Sequence, residues 1–372
     1  MRKLFLVMAA SMVLNAASAQ SQYLLTGTYT GGKSKGIYVY SFDNNTGRAD
    51  SISMIEASNP SFIAVSPDGK YVFAVHENGK DGKGGTISSY SFNKNLGQLR
   101  LINTQSTEGD YPCYVEVDKS GKWVFAANYG TGNFTIFPVS DSGSLGEASV
   151  KISHQGSGTV KDRQEGPHVH STNISPDNKI LFVADLGIDK VMIYSFNAQT
   201  GELIPAASVA AESRDGSGPR HMAFHPTHNW VYLMEEISGT VVAYEQNADK
   251  LKEIQRISSI PADKKGDAGS ADIHVSPDGK FLYASNRGDF NDLVIYQIDP
   301  KKGTLKTVGF QSTLGKGPRN FSIDPSGKFL LVANQNSDEV VIFNRDAKTG
   351  KLVPTSEKII VGNPVCLKWI SK

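Results

Sequence analysis

Histidine, glutamate and arginine residues that could move a proton or bind an anion lie between positions 170 and 319 of this 372-residue chain. His170 and Glu236 are candidate proton carriers, because imidazole and carboxylate groups are the usual general bases. Arg220, Arg287 and Arg319 are candidate anion binders, since a guanidinium fork contacts a carboxylate or phosphate at two points. Together the five could move a proton beside a bound anion. They could also pair with one another, or form a docking face.

A repeated sequence motif places these residues at equivalent positions. Its copies are Gly166-Pro167-His168-Val169-His170, Gly218-Pro219-Arg220-His221 and Gly317-Pro318-Arg319-Asn320. Each runs into a strand, a turn resembling Ser-Pro-Asp-Gly and a second strand. Aligned on that turn, the units begin at intervals of 46 to 55 residues, near Pro60, Pro112, Pro167, Pro219, Ser270, Pro318 and Pro364. A period of about 40 to 50 residues is typical of propellers and solenoids.

Each unit has the pattern of four antiparallel strands, which is the composition of a propeller blade. The last unit, from 364 to 370, supplies one first strand, and segments 23–29, 36–42 and 50–56 supply the missing three. The sequence therefore predicts an all-β, seven-bladed β-propeller whose ring is closed by a composite blade from both chain ends, without a free sheet edge at the seam. An open solenoid is the alternative, but it needs capping repeats.

The blade geometry predicts where the reactive side chains meet. The start of the first strand and the end of the second lie at the same end of a blade, and the first strand lines the central channel. His170, Arg220, Glu236, Arg287 and Arg319 hold these positions on four consecutive blades. We therefore predict a one-sided cationic pocket at one mouth of the channel. Further candidate substrate contacts from the same motifs are His168, His221, Asn286 and Asn334.

A metal site at the same mouth is a less favoured alternative. The ends of the second strands carry possible oxygen ligands for calcium, namely Asn128, Asp185, Glu235, Asn286 and Asn334. Calcium takes six to eight oxygens, and Asn or Asp at such positions more often fixes loop backbone. The pair His168 and His170 lacks a third ligand at suitable spacing. The residues at this mouth therefore do not favour a metal.

The N-terminus predicts export. Arg2 and Lys3 precede an apolar run over 4–14 and the small residues 17–19, the pattern of a secretory signal. Cleavage after Ala19 divides the chain into a signal peptide, 1–19, and a propeller domain, 20–372, that is periplasmic or secreted. A membrane anchor needs about 18 apolar residues in a row, and Asn15 interrupts this run.

Charge and cysteine content exclude other classes. Without Arg2 and Lys3, the 38 basic residues become 36 against 37 acidic ones. A net charge near −1 gives no attraction to nucleic acid or to an anionic membrane, and the mixed charge predicts no obligate protein partner. Cys113 and Cys366 begin equivalent strands two units apart, so we predict free, buried thiols.

At these residues the chain resembles the seven-bladed propeller lactonases, the family of the bacterial propeller-type 6-phosphogluconolactonase and of the 3-carboxy-cis,cis-muconate lactonizing enzyme. The most specific segments are 170–177, 218–226 with Glu236, 285–288, and 317–321 with 332–335. Through these motifs the resemblance implies that His170, Arg220, Glu236 and Arg287 are the functional residues. It also implies a reaction that opens or closes a lactone without a cofactor.

The expected function is therefore hydrolysis of a small anionic lactone derived from a sugar, as by a 6-phosphogluconolactonase in glucose metabolism. His170 or Glu236 would take a proton from water, Arg220 and Arg287 would stabilise the oxyanion and hold the acidic group, and Arg319 would add an anion contact. Because phosphorylated sugar acids belong to the cytoplasm, an exported enzyme would suit a periplasmic aldonolactone. Cycloisomerase chemistry on an unsaturated dicarboxylate and a non-catalytic binding propeller remain open.

Overall fold

A computed structural model describes residues 21–79, 84–206, 209–248 and 250–372, so the predicted signal peptide lies outside the described residues. In chain order the strands are β1 (Ser21–Thr28), β2 (Gly36–Asp43), β3 (Ala49–Glu56), β4 (Phe62–Val65), β5 (Tyr71–His76), β6 (Thr86–Asn93), β7 (Gln98–Ser106), β8 (Pro112–Val117), β9 (Trp123–Asn128), β10 (Asn133–Pro138), β11 (Val150–Ser153), β12 (Val169–Ile174), β13 (Ile180–Asp185), β14 (Lys190–Phe196), β15 (Leu203–Pro205), β16 (Ala211–Glu212), β17 (Pro219–Phe224), β18 (Trp230–Glu235), β19 (Thr240–Asn247), β20 (Lys250–Ser258), β21 (Ser270–Val275), β22 (Phe281–Asn286), β23 (Asp292–Ile298), β24 (Leu305–Ser312), β25 (Pro318–Ile323), β26 (Phe329–Asn334), β27 (Glu339–Arg345), β28 (Leu352–Ile360) and β29 (Pro364–Ser371). A 3-10 turn follows β26 at Gln335–Ser337.

The described residues form seven antiparallel sheets, which confirms the predicted seven-bladed propeller. Strands β4 to β28 build six blades in chain order, and the seventh has the strand order β29-β1-β2-β3. In that composite blade Tyr23 pairs with Ile370, so the two chain ends close the ring as predicted. The first strands β4, β8, β12, β17, β21, β25 and β29 pack against their neighbours around the channel, and β29 meets β4.

One blade departs from the four-strand pattern. Its outer edge consists of two short strands, β15 and β16, that both pair with β14. Pro205 ends β15, and a proline cannot donate a hydrogen bond to continue the ladder. The departure lies at the rim of the ring, far from the first strands that line the channel.

Aromatic side chains on the second strands of five blades bond each of these blades to the next. The hydroxyl of Tyr71 donates to Asp141 O and that of Tyr283 donates to Gly350 O, each at 2.8 Å, in the outer turn of the following blade. Equivalent bonds join Tyr23 to Lys94, Trp123 to Ala198 and Tyr232 to Gly303. The outer turn needs glycine, because Gly143 has φ +80° and a Cβ there would lie 2.1 Å from the Tyr71 ring.

The two cysteines, Cys113 and Cys366, are free and buried, as predicted. The same described residues contain no helix with the length and apolar character needed to cross a membrane.

Candidate active site

A bulge in the first strand aims the repeated motif residues at the channel mouth. Pairing shifts register between Val169 and Ser171 in β12 and between Pro219 and His221 in β17. The same shift occurs in β25, between Pro318 and Asn320. The residues skipped by the ladder are His170, Arg220 and Arg319. Since a bulge leaves one residue unpaired and redirects its side chain, the backbone itself presents these three to the mouth.

The glycine of the motif positions the neighbouring second strand. Gly218 has φ +69°, a left-handed conformation that favours glycine. Its carbonyl accepts a hydrogen bond from Glu236 N at 2.7 Å, and its N–H donates to Oδ1 of Asp189 at 2.8 Å. Arg220 and Glu236 are thereby placed by one turn, although they lie on different strands.

These elements enclose a pocket of about 290 Å³ at one mouth of the channel. Its lining comprises Tyr29, Glu77, Cys113, Tyr129, Arg163, His170, Arg220, Glu236, Arg287 and Arg319. Among the described residues, four arginines and two glutamates therefore face the pocket. The structure brings together the five residues that the sequence placed there, His170, Arg220, Glu236, Arg287 and Arg319.

Glu236 is the centre of a buried charge cluster. Its side chain is 6% exposed, and Oε2 forms an ion pair with Nη1 of Arg220. Oε1 lies 2.6 Å from Nη2 of Arg163 and 3.3 Å from Nη2 of Arg287. Burial favours a raised pKa for Glu236, but the charges of Arg220, Arg287 and Arg163 outweigh it and hold the pKa well below the ordinary value. Glu236 is therefore a permanent carboxylate at neutral pH.

His170 is buried beside this cluster and is neutral. Burial, reinforced by the charge of Arg220, holds the pKa of His170 well below its ordinary value. Nη1 of Arg220 lies 2.5 Å from Nε2 of His170, so the unprotonated Nε2 accepts this hydrogen bond. Nδ1 lies 3.8 Å from Sγ of Cys113, and Oε2 of Glu236 is 3.9 Å from Nε2. His170 thus presents an unprotonated nitrogen next to a fixed carboxylate.

Backbone carbonyls orient two of the arginines. Nε of Arg220 donates to Ala271 O at 2.7 Å, and Nε of Arg287 donates to Gly269 O at 2.8 Å. Burial lowers the pKa of Arg287 to about 9, which leaves it cationic at neutral pH. Both guanidinium groups therefore have a fixed direction before any ligand binds.

The opposite wall of the pocket carries a second, looser group of polar side chains. The hydroxyl of Tyr29 donates to Oε2 of Glu77 at 2.7 Å. Nη2 of Arg319 is 3.8 Å from Oε1 of Glu77, and its guanidinium carbon lies 5.4 Å from the centre of the Tyr29 ring. Arg319 is therefore available as an anion contact across the pocket from Glu236.

The structure does not bring the other four candidates to the lining. His168 stacks on Tyr129 and binds its carbonyl at 2.8 Å, behind the pocket wall. His221 lies deeper in the channel, where Nδ1 is 2.8 Å from Asp272 and burial lowers its pKa to about 4.

Asn286 and Asn334 tie down loop backbone. Nδ2 of Asn286 donates to Ser259 O at 2.8 Å, and Nδ2 of Asn334 donates to Thr313 O at 3.0 Å. Asn128 makes the same contact in another blade. Throughout the described ranges, no group of three or more His, Cys, Asp or Glu side chains is arranged to hold a metal ion. The cofactor-free reaction stays a prediction.

Five lining residues were not among the candidate site residues. Four of them occupy the same repeat positions as the predicted residues, and the alignment over all blades places them at the same mouth: Tyr29, Glu77, Cys113 and Tyr129. Arg163 lies on a connection outside the repeat, between β11 and β12, and the sequence carried no signal for it.

The fold and the pocket define the chain as a seven-bladed propeller with a cationic small-molecule pocket at one channel mouth. More particularly, the chain belongs to the family described as "Lactonase, 7-bladed beta-propeller", whose sequence model matches residues 23–369.

Named relatives cover nearly the full chain. A 6-phosphogluconolactonase of Formosa agariphila is 39% identical over 94% of this chain and 99% of its own length. One from Bacillus subtilis is 36% identical over 92% of this chain and 97% of its own. The solved structure of a Pseudomonas aeruginosa periplasmic gluconolactonase matches with a TM-score of 0.90 at 38% identity, covering 94% of this chain and 99% of that one.

Proposed function

We propose that this protein is a lactonase that hydrolyses a sugar-derived lactone carrying an anionic group. The observation that carries the proposal is the buried cluster of His170, Arg220, Glu236 and Arg287, which faces a small cationic pocket. Relatives named 6-phosphogluconolactonase and gluconolactonase support it.

The size and charge of the pocket suit such a substrate. A volume of about 290 Å³ is near the lower end of the roughly 300–1,000 Å³ found for ligand sites, which fits a single sugar ring. With His170 neutral, four arginines against two glutamates leave an excess of two positive charges among the described lining residues. A concave, charged lining favours an enzyme over a docking propeller.

His170 is the better of the two candidate bases. Both carboxylate oxygens of Glu236 are already paired with arginines, three in all. Nε2 of His170 has a lone pair, which in the free protein accepts from Arg220. When the lactone carbonyl oxygen replaces Nε2 of His170 as an acceptor of Arg220 Nη1, Nε2 becomes available to a water molecule. Glu236, 3.9 Å away, then stabilises the imidazolium that forms.

The reaction balances without a further component. The water oxygen bonds to the carbonyl carbon while His170 takes one proton, and the oxyanion is stabilised by Arg220 and Arg287. The bond from that carbon to the ring oxygen then breaks, and the ring oxygen takes the proton from His170. The acid that results loses a proton to solvent at neutral pH, so each turnover releases one proton.

Proton release provides the test. Purified protein lacking residues 1–19 is assayed on gluconolactone and 6-phosphogluconolactone, with spontaneous hydrolysis subtracted and with or without a chelator. We expect catalysis that survives the chelator and falls by roughly 10²-fold or more in Arg220→Ala and His170→Gln. Circular dichroism verifies that each variant is folded. Wild-type protein inactive on both lactones would refute the proposal.

We also propose that the enzyme is periplasmic or secreted and serves carbohydrate metabolism. The predicted cleavage after Ala19 and the similarity to a periplasmic gluconolactonase support this location. N-terminal sequencing of protein from the periplasmic fraction should begin at Gln20, and an uncleaved, cytoplasmic product would contradict it.

A further inference from the structure

One cation of the pocket comes from outside the repeat. Arg163 lies on the connection between β11 and β12. The fully buried side chain of Gln164 anchors this connection, because its Nε2 donates to Leu186 O and to Oδ1 of Asp189, both at 2.8 Å. Asp189 also receives the N–H of Gly218, the turn that positions Glu236. The backbone beneath Arg163 is therefore fixed relative to the cluster.

The side chain of Arg163 is held differently from those of its neighbours. Arg220 and Arg287 each donate Nε to a backbone carbonyl, and their side chains are 3% and 20% exposed. Arg163 is 42% exposed, donates to Glu236 at 2.6 Å and approaches the Tyr129 hydroxyl. Both of its partners are side chains. A half-solvated guanidinium paired with a carboxylate can exchange that partner for another anion at little desolvation cost.

We propose that Arg163 binds the anionic substituent of the substrate and so determines selectivity for charged over neutral lactones; this inference rests on the proposed lactonase function. Before substrate binds, Glu236 holds Arg163 at the rim of the mouth. The incoming phosphate or carboxylate replaces Glu236 as the partner of Arg163. Glu236 keeps Arg220 and Arg287, so the cluster around His170 stays assembled during the exchange.

The experiment compares kcat and KM on 6-phosphogluconolactone and gluconolactone. We expect Arg163→Gln to raise KM for the phosphorylated lactone by roughly 10- to 100-fold, the worth of a hydrogen bond to a charged group. KM for gluconolactone and the two kcat values should change far less than this, since a neutral lactone brings no anion to Arg163. Arg163→Lys should recover part of the loss, because lysine restores the charge without the fork.

Lys161 provides the matched control. It is exposed on the same connection, so Lys161→Gln removes the same charge without a pocket contact. An equal loss on both lactones in Arg163→Gln would overturn the inference, because it would show an effect through Glu236. An equal change of KM for the phosphorylated lactone in Lys161→Gln would also overturn it, since the loss of any positive charge near the pocket would then explain the effect.

Calorimetric binding of the products separates this inference from the lactonase proposal. A wild-type protein that hydrolyses neither lactone refutes the proposed function. The role of Arg163 is then tested by the binding of 6-phosphogluconate. Weaker binding in Arg163→Gln than in wild type supports an anion contact, and equal binding overturns it. Gluconate, which lacks the phosphate group, is the comparison ligand for both proteins.

Discussion

Replacing Glu236 by glutamine tests whether one buried carboxylate assembles the pocket. Arg163, Arg220 and Arg287 all contact this carboxylate. Glutamine keeps the shape and one acceptor oxygen, but its amide N–H groups face guanidinium donors and the negative charge is lost. Arg220, whose side chain is 3% exposed, then stays desolvated without the charge that compensated it.

The expected cost follows from burial. Removing one partner of a buried ion pair costs about 3–5 kcal/mol. Unfolding entropy of about 2.1 cal/mol/K per residue gives about 0.74 kcal/mol/K for the 353 residues, 372 minus 19, after the predicted cleavage site. Dividing the cost of the lost ion-pair partner by this unfolding entropy predicts that Glu236→Gln lowers Tm by about 4–7 °C at neutral pH.

The cost has a definite dependence on pH. Although burial opposes it, the surrounding cations lower the pKa of Glu236 well below its ordinary value. The ionised carboxylate therefore stabilises the fold fully above the unfolded-state pKa of about 4.3, and this contribution is lost as the pH falls toward the folded-state pKa. The Tm difference between wild type and Glu236→Gln should shrink below about pH 4.

Thermal unfolding followed by circular dichroism at pH 7 and about pH 3.5 checks this prediction. Glu77→Gln is the matched control in the same pocket, because the Arg319 nitrogen is 3.8 Å from Glu77 and Tyr29 is its hydrogen-bond donor. Glu77→Gln should lower the free energy of unfolding by about 1 kcal/mol. An unchanged Tm in Glu236→Gln, or a difference that does not depend on pH, would refute the reasoning.

Three further predictions follow from local contacts. Because burial depresses the pKa of His170, kcat/KM should stay level as the pH falls through the ordinary histidine value of about 6.5 and should fall only at lower pH, where His170 takes up its proton; a fall centred at the ordinary value would contradict this. Gly143→Ala should destabilise the fold by about 1–3 kcal/mol, since φ is +80° and the Tyr71 ring lies where a Cβ would be; an unchanged denaturant midpoint would count against it. Burial raises the pKa of Cys113 and raises that of Cys366 to about 11, so a thiol reagent should modify both only after denaturation, and rapid labelling of native protein would disagree.

The fold and the centre of the pocket could be predicted because the repeat reuses one backbone device. The first strands β12, β17 and β25 bulge near the mouth, so an alignment on the turn alone brings His170, Arg220 and Arg319 to one ring. Glu236 and Arg287 follow their second strands by one residue, and the alignment located them for the same reason.

Some candidates lie outside the pocket lining because a shift of one or two residues changes the direction of a side chain. Asn286 immediately precedes Arg287, yet its amide turns into the blade and binds Ser259 O, because successive side chains on a strand face opposite sides. His168 and His170 share a motif, but the bulge directs only the second toward the pocket. Arg163 lies on a connection with no counterpart in other blades, so its place depends on tertiary contacts such as those of Gln164.

The balance of charge in the pocket explains how one site can bind an anion and stabilise an oxyanion. Two unit charges about 4 Å apart interact by about 4 kcal/mol at an effective dielectric constant of about 20. Three guanidiniums around one point therefore require Glu236, yet a single carboxylate cannot satisfy all of their donors. Ala271 O and Gly269 O already orient the guanidinium groups of Arg220 and Arg287, and with them the N–H donors that Glu236 leaves unsatisfied. In the proposed reaction an oxyanion meets these donors with little reorganisation, even when the lactone itself is neutral. Loss of Arg220 should therefore lower kcat on every lactone, whereas the contribution of Arg163 depends on the charge that the substrate brings.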